Sequence, residues 1–233
     1  MRSVVNSAVV NSSVGPLPPH RQIPLVGLVG GVGSGKSTIG HGLTQRMAVA
    51  ILDADVAGHD ALRQPEVKQA LRTAFGAGIF DPAGEIVRPE LGRIVFGDTQ
   101  SARRNRDSLE QIVHPVIRSV LREQLAQHRS DAQVEAVLLD AALLLESGWQ
   151  GECDGVVFID TPLERRRRWT ASSRAWTVEE HARREASQWP LDKKRAASDF
   201  VVDNSGDASA SVDQLEKFVR GIVSLVNCSS VAH

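Results

Sequence analysis

Lys36 and Ser37 close a glycine-rich stretch, GLVGGVGSGKST at residues 27–38, that fits the phosphate-loop pattern G-x-x-x-x-G-K-[ST] from Gly30 onward. Glycines at 31, 33 and 35 let successive backbone N–H groups, including those of Val32 and Ser34, turn toward an anion. A helix beginning at this point adds its positive end. Lys36 supplies a compact charge for the β- and γ-phosphates of a nucleotide, and Ser37, followed by Thr38, supplies a hydroxyl for Mg2+. Two acids, Asp53 and Asp55, follow in LDAD. Residues two apart on a strand project to one side, which predicts both carboxylates at the phosphate site, where one can take a hydroxyl proton or order water around the metal. An acid directly after a strand also suits a helix cap, and that reading stands beside the chemical one.

These residues need elements to position them. IPLVGLV, AVAILDAD, VEAVLLDAALLL, GVVFID and DFVVDN are apolar runs of strand character, each separated from the next by longer polar segments. KSTIGHGLTQRM and DSLEQIVHPVIRSVLREQLAQH carry helical spacing. Buried strands alternating with helices predict an α/β fold of the P-loop NTPase type, a parallel sheet flanked by helices. Such sheets bind ligands at the carboxyl ends of their strands, where Asp53, Asp140 and Asp160 stand.

The chain has 233 residues, 42% hydrophobic and 24% charged, enough for one domain of ordinary size with a buried core. A formal net charge of -1 gives no sign of a nucleic-acid or membrane-surface partner. Two cysteines without a CxxC pattern fit a reducing cytoplasm and argue against a disulfide framework or zinc site. Residues 1–22 read as a flexible extension and 227–233 as a loose tail. The G-x-G-x-x-G fingerprint of dinucleotide folds is not completed, and no N-K-x-D motif offers a guanine reader. Small-molecule kinases, ATP-driven motors and a binding module without turnover remain open.

Six stretches in order narrow the choice: GGVGSGKST, LDAD, IVHPVIR, LLDAALLLESGW, CDGVVFIDTPLE and ASDFVVDNSG. From about Val26 to Gly206 the chain resembles the dephospho-CoA kinases. The resemblance implies ATP-dependent phosphorylation of the ribose 3′-hydroxyl of dephospho-CoA, with Mg2+ as cofactor. It also implies a kinase domain at 23–226, with a helical substrate-binding insertion at about 56–125 and a lid at about 163–190. By position, Asp55 matches the proposed general base and Asp53 its neighbour. His114 and Arg118 match acceptor contacts, although a His-Pro pair also suits the first turn of a helix. Arg93 matches an anion contact in the substrate segment; Leu143, Leu144 and Glu146 lie in the family's apolar substrate stretch. That stretch is DAALLLE here, with Ala142 and Leu145 where the family has proline and phenylalanine. Asn204 matches a contact near the adenine. Of the arginines in RRRRWTASSR, at 100° per residue no more than one or two can face a single site, and Arg174 is the expected catalytic lid residue.

Overall fold

The structure is a computed structural model that describes residues 22–97 and 99–229, so the expected N-terminal extension lies, up to residue 21, outside the described residues. Five strands, β1 (Leu25–Gly30), β2 (Val49–Asp53), β3 (Ala136–Asp140), β4 (Gly155–Asp160) and β5 (Phe200–Asp203), form one parallel sheet in the order β2-β3-β1-β4-β5. Each apolar run of the sequence becomes one strand. β1 lies in the middle, with β3 and β4 on its two sides, so the glycine loop that follows it opens where the strand order reverses.

Alternate residues of the strands feed opposite faces. Leu25, Val29, Leu52, Val137, Leu139 and Phe158 pack on one side with Leu121, Leu125 and Trp149. Val26, Leu28, Leu138, Val157 and Ile159 pack on the other with Ile39, Leu43, Val212, Leu215 and Val219. The first face is covered by α2 (Ala54–Ala61) and the long α5 (Gln100–Ser130); the second by α1 (Lys36–Thr44) and α9 (Ala208–Ser229). The last helix therefore includes residues 227–229, the start of the expected tail. A third, smaller core of Val67, Leu71, Ile79, Leu91, Val95 and Val113 joins α3 (Pro65–Phe75) and α4 (Arg88–Val95) to α5. The remaining helices, α6 (Leu163–Arg174), α7 (Val178–Ala186) and α8 (Leu191–Ala196), lie between β4 and β5.

Two expectations change here. Pro115 does not open a helix: α5 runs through it for 31 residues, so the carbonyl of Gln111 loses the amide that a helix would bring to it. Leu144, expected at the substrate, has 0% exposure and belongs to the core. A Cβ on Gly27 would come within 2.6 Å of its Cδ1, so β1 carries glycine where this leucine presses on the strand. Cys153 and Cys228 are free, and burial pushes the Cys153 thiol up to about 12, which keeps it protonated.

If Leu144 is core, Leu144→Ala should cost about 2–5 kcal/mol, read as a lower urea midpoint at unchanged slope with ligand affinities of the folded protein retained. Loss of affinity at full stability would return this side chain to the binding site.

Candidate active site

The loop after β1 is held in shape from below. Ser34 N–H closes a turn on the Gly31 carbonyl at 3.1 Å, and Gly33 and Gly35 adopt φ of +71° and +80°, the left-handed region that favours glycine. Asn204, 1% exposed, gives its side-chain N–H groups to the Ser34 carbonyl and the Thr161 hydroxyl, both at 3.0 Å, and accepts from Ser211 Oγ at 2.9 Å. Its amide is thus spent on the loop and is not available to an adenine, contrary to expectation. Its backbone N–H is spent too, on the Asp160 carbonyl at 2.8 Å.

A cleft of about 1140 Å³ opens above the loop. Val32, Gly33, Lys36 and Ser37 line one end, Asp53, Asp55 and Asp140 the floor, and His114, Arg118 and Leu143 the far wall. Arg174 lines it as well. Gly31, Ser34, Gly35 and Thr38 do not line it: Ser34 is buried, and Thr38 is exposed on the first turn of α1. Of the three strand-ending acids, each takes a different task. Asp140 accepts a short hydrogen bond from Ser37 Oγ. Asp53 caps α2, its Oδ1 taking the N–H groups of Asp55 at 2.8 Å and Val56 at 3.0 Å. Asp160 pairs with Arg195. Asp55 reaches the cleft from the first turn of α2 rather than from the strand, so the alternation argument fails although the two acids do meet.

Charges crowd this floor. Asp55 stands open to the cleft, yet its carboxyl is held above the usual carboxylate range, first because the walls strip it of water and then because Asp53 and Asp140 repel it; Lys36 and His59 pull the other way. Burial holds the Lys36 ammonium below the usual lysine range, Lys194 and Arg174 add repulsion, and Asp140 and Asp55 oppose them.

Other expected residues are elsewhere. Arg93 points outward with 73% of its side chain exposed and pairs with Glu90 on its own helix. Glu146 sits behind the cleft wall, accepting the Trp189 N–H at 2.7 Å and pairing with the buried Lys194 at 3.2 Å. Arg168, the last of the four consecutive arginines, is exposed and lies outside the cleft lining. In exchange, the cleft includes Arg103, Arg106, Arg183 and Arg184, which sequence reasoning missed. Arg106 was within reach, since counting back from Arg118 and His114 in steps of four gives Glu110 and then Arg106 on one helix face. Trp176 lies between two arginines, with Arg174 at 4.8 Å and Arg184 at 4.2 Å from its ring centre. Arg118 donates to the Ser147 carbonyl and stands 5.6 Å over Trp149, which fixes it against the wall.

Among the described residues no helix is long and apolar enough to cross a membrane, and no group of three His, Cys, Asp or Glu side chains is arranged to hold a metal.

Comparison with known proteins gives the family. A family model described as dephospho-CoA kinase matches residues 24–210. A curated dephospho-CoA kinase of Symbiobacterium thermophilum is 35% identical over 195 residues, 82% of this chain and 78% of that one. That of Geobacillus kaustophilus is 36% identical over 194 residues, 82% and 92% of the two chains. Among solved structures, TT1252 from Thermus thermophilus superposes with a TM-score of 0.72 at 29% identity, covering 86% of this chain and 97% of that one. The dephospho-CoA kinase from Campylobacter jejuni shares the fold at a TM-score of 0.54 and 21% identity, covering 85% and 97%.

The raised Asp55 carboxyl has a consequence for the free protein. Its protonated form favours folding, a contribution complete below the unfolded carboxyl's range and lost as pH rises through the folded one. Asp55→Asn, neutral at every pH, should therefore melt higher than the wild type near neutral pH, and the gap should narrow as pH falls through the raised range. Thermal melts across that range check both sign and direction.

Proposed function

This chain belongs to the dephospho-CoA kinase family, and on that premise we propose that Asp55 is the base, and Lys36 and Arg174 the charge partners, of phosphoryl transfer in the cleft. The activity is that of the family: ATP phosphorylates the ribose 3′-hydroxyl of dephospho-CoA to give coenzyme A and ADP, the last step of coenzyme A synthesis. What supports the residue assignment is one observation: a single cleft joins the phosphate loop, Asp55, and the His114–Arg118 face of α5.

In this reading the triphosphate of ATP occupies the loop end, held by backbone N–H groups of the loop that face the cleft, that of Gly33 among them, and by Lys36. The acceptor lies along His114, Arg118 and Leu143, with its 3′-hydroxyl at Asp55. The hydroxyl oxygen attacks the γ-phosphorus as Asp55 takes its proton; the new O–P bond forms, the β,γ-bridging O–P bond breaks, and ADP leaves with the electron pair. Lys36 and Arg174 offset the charge spread over the transferring group and the leaving oxygen. The Ser37 hydroxyl touches the Asp140 carboxylate, two hard oxygen donors that suit Mg2+, which binds few protein ligands and fills its other positions with phosphate and water. Bound there, Mg2+ would supply charge neutralisation at the β- and γ-phosphates. Residues 56–125 form the acceptor region, and residues 163–190, with α6 and α7, form the lid that keeps water from the phosphoryl group.

Purified protein with ATP, Mg2+ and dephospho-CoA should yield coenzyme A and ADP in a coupled assay. ADP formed with another alcohol and not with dephospho-CoA would refute the substrate. Asp55→Asn should lower kcat about 10²–10⁴-fold, the range for a general base, with ATP affinity kept. The wild-type rate should fall on the acid side above the usual aspartate range, because Asp55 must be ionised and its carboxyl is raised. Lys36→Ala should lose ATP binding and turnover together. Normal turnover in Asp55→Asn would remove the base assignment.

A further inference from the structure

The carbonyl of Val32, in the phosphate loop, is gripped by two buried side chains that do not line the cleft. Arg166 Nη1 donates to it at 3.3 Å, and His181 Nε2 stands 3.2 Å from it. A carbonyl can only accept, so Nε2 carries the hydrogen that meets it. Nδ1 of the same ring is buried and has no partner, so the ring is placed to serve Val32 at the expense of its second nitrogen. His181 is 1% exposed. Arg166, 3% exposed, is itself held by Glu185 of α7 through a short ion pair and by the Thr161 carbonyl at 3.1 Å. The pair lies on the loop's backbone: a Cβ on Gly31 would come within 2.6 Å of Arg166 Nη1 and 3.0 Å of Glu185 Oε1.

A trans peptide is planar, and its C=O and N–H point in opposite directions. Among the described residues there is no cis bond, so fixing the Val32 carbonyl toward α6 and α7 fixes the Gly33 N–H the other way. Val32 and Gly33 line the cleft, and among the described residues no acceptor pairs with the Gly33 N–H. We infer that Glu185 and His181 of α7 are positioning residues which, with Arg166, orient the Val32–Gly33 peptide so that its N–H meets the phosphate of the nucleotide. The inference rests on the reading that this loop binds ATP. It makes α7 part of the loop's support: a helix that lines the cleft through Arg183 and Arg184 also sets one donor of the phosphate cradle.

The test is calorimetric binding of ADP and of dephospho-CoA, each alone, to the full chain and its variants, with thermal melts in parallel. Glu185→Ala and His181→Leu should each weaken ADP about tenfold, on the scale of one charge-assisted hydrogen bond, and leave dephospho-CoA affinity unchanged. His181→Gln, whose amide nitrogen can donate to Val32, should recover most of the ADP affinity that His181→Leu loses. Equal ADP affinity in wild type and both disruptive variants would overturn the inference, as would a parallel loss of both ligands or failure of His181→Gln to recover. A wild type that binds no ADP would instead bring down the nucleotide reading itself.

Discussion

The backbone between Gly30 and Lys36 is approached from two sides, and most of the site follows from that constraint. α6 lies directly on the loop: added Cβ atoms at Gly31, Gly33 and Gly35 would come within 2.6, 2.7 and 2.8 Å of Arg166, Thr170 and Trp169. The opposite side must stay bare for phosphate oxygens to reach backbone N–H groups. The glycines therefore answer to protein packing as well as to ligand chemistry. A loop so thin has little means of holding itself, and its shape is imposed by neighbours. Asn204 and Thr161 take the Ser34 carbonyl beneath, and Arg166 takes the Val32 carbonyl behind.

The cleft floor shows the cost of gathering several charges in one partly desolvated place. Loss of water, and after it repulsion from Asp53 and Asp140, raises the Asp55 carboxyl, and Lys36 is desolvated among these acids with Lys194 and Arg174 as further cations. Only part of this is relieved internally, by the Ser37–Asp140 hydrogen bond and by the two amides on Asp53. A polyanionic ligand would add counter-charge to Lys36 and Arg174 beyond what Asp140 and Asp55 give the lysine. Stability is thus given up where charge is needed, as is usual at functional sites.

The sheet was legible in the sequence because its strands are continuous apolar runs, and β-strands buried on both faces have no other composition. The loop was legible because few other chemistries need glycine at those spacings. What stayed hidden depended on direction. DAALLLE is apolar throughout, so nothing in it says that Leu143 faces the cleft while Leu144 faces Gly27 and Glu146 meets Lys194. Asp55 came to the right place by the wrong route, since the strand ended two residues before it. Asn204 and Arg93 were sought as ligand contacts on motif position alone, but hydrogen bonding to Ser34 and pairing with Glu90 decide their orientation.

The long α5 ties the two halves of the molecule. Its Val113 packs in the small core with α3 and α4, and its Leu121 and Leu125 pack under the sheet. His114 and Arg118 lie at the changeover, with Pro115 between the two anchorages. A proline inside a helix removes one rung of hydrogen bonding, and α5 continues through that gap. Ile117, two residues beyond Pro115, packs against both cores, so the small core and the core under the sheet meet on this stretch of the helix. The residues that face the cleft from α5 are therefore set by both packing surfaces at once: neither core can shift along the helix without moving His114 and Arg118.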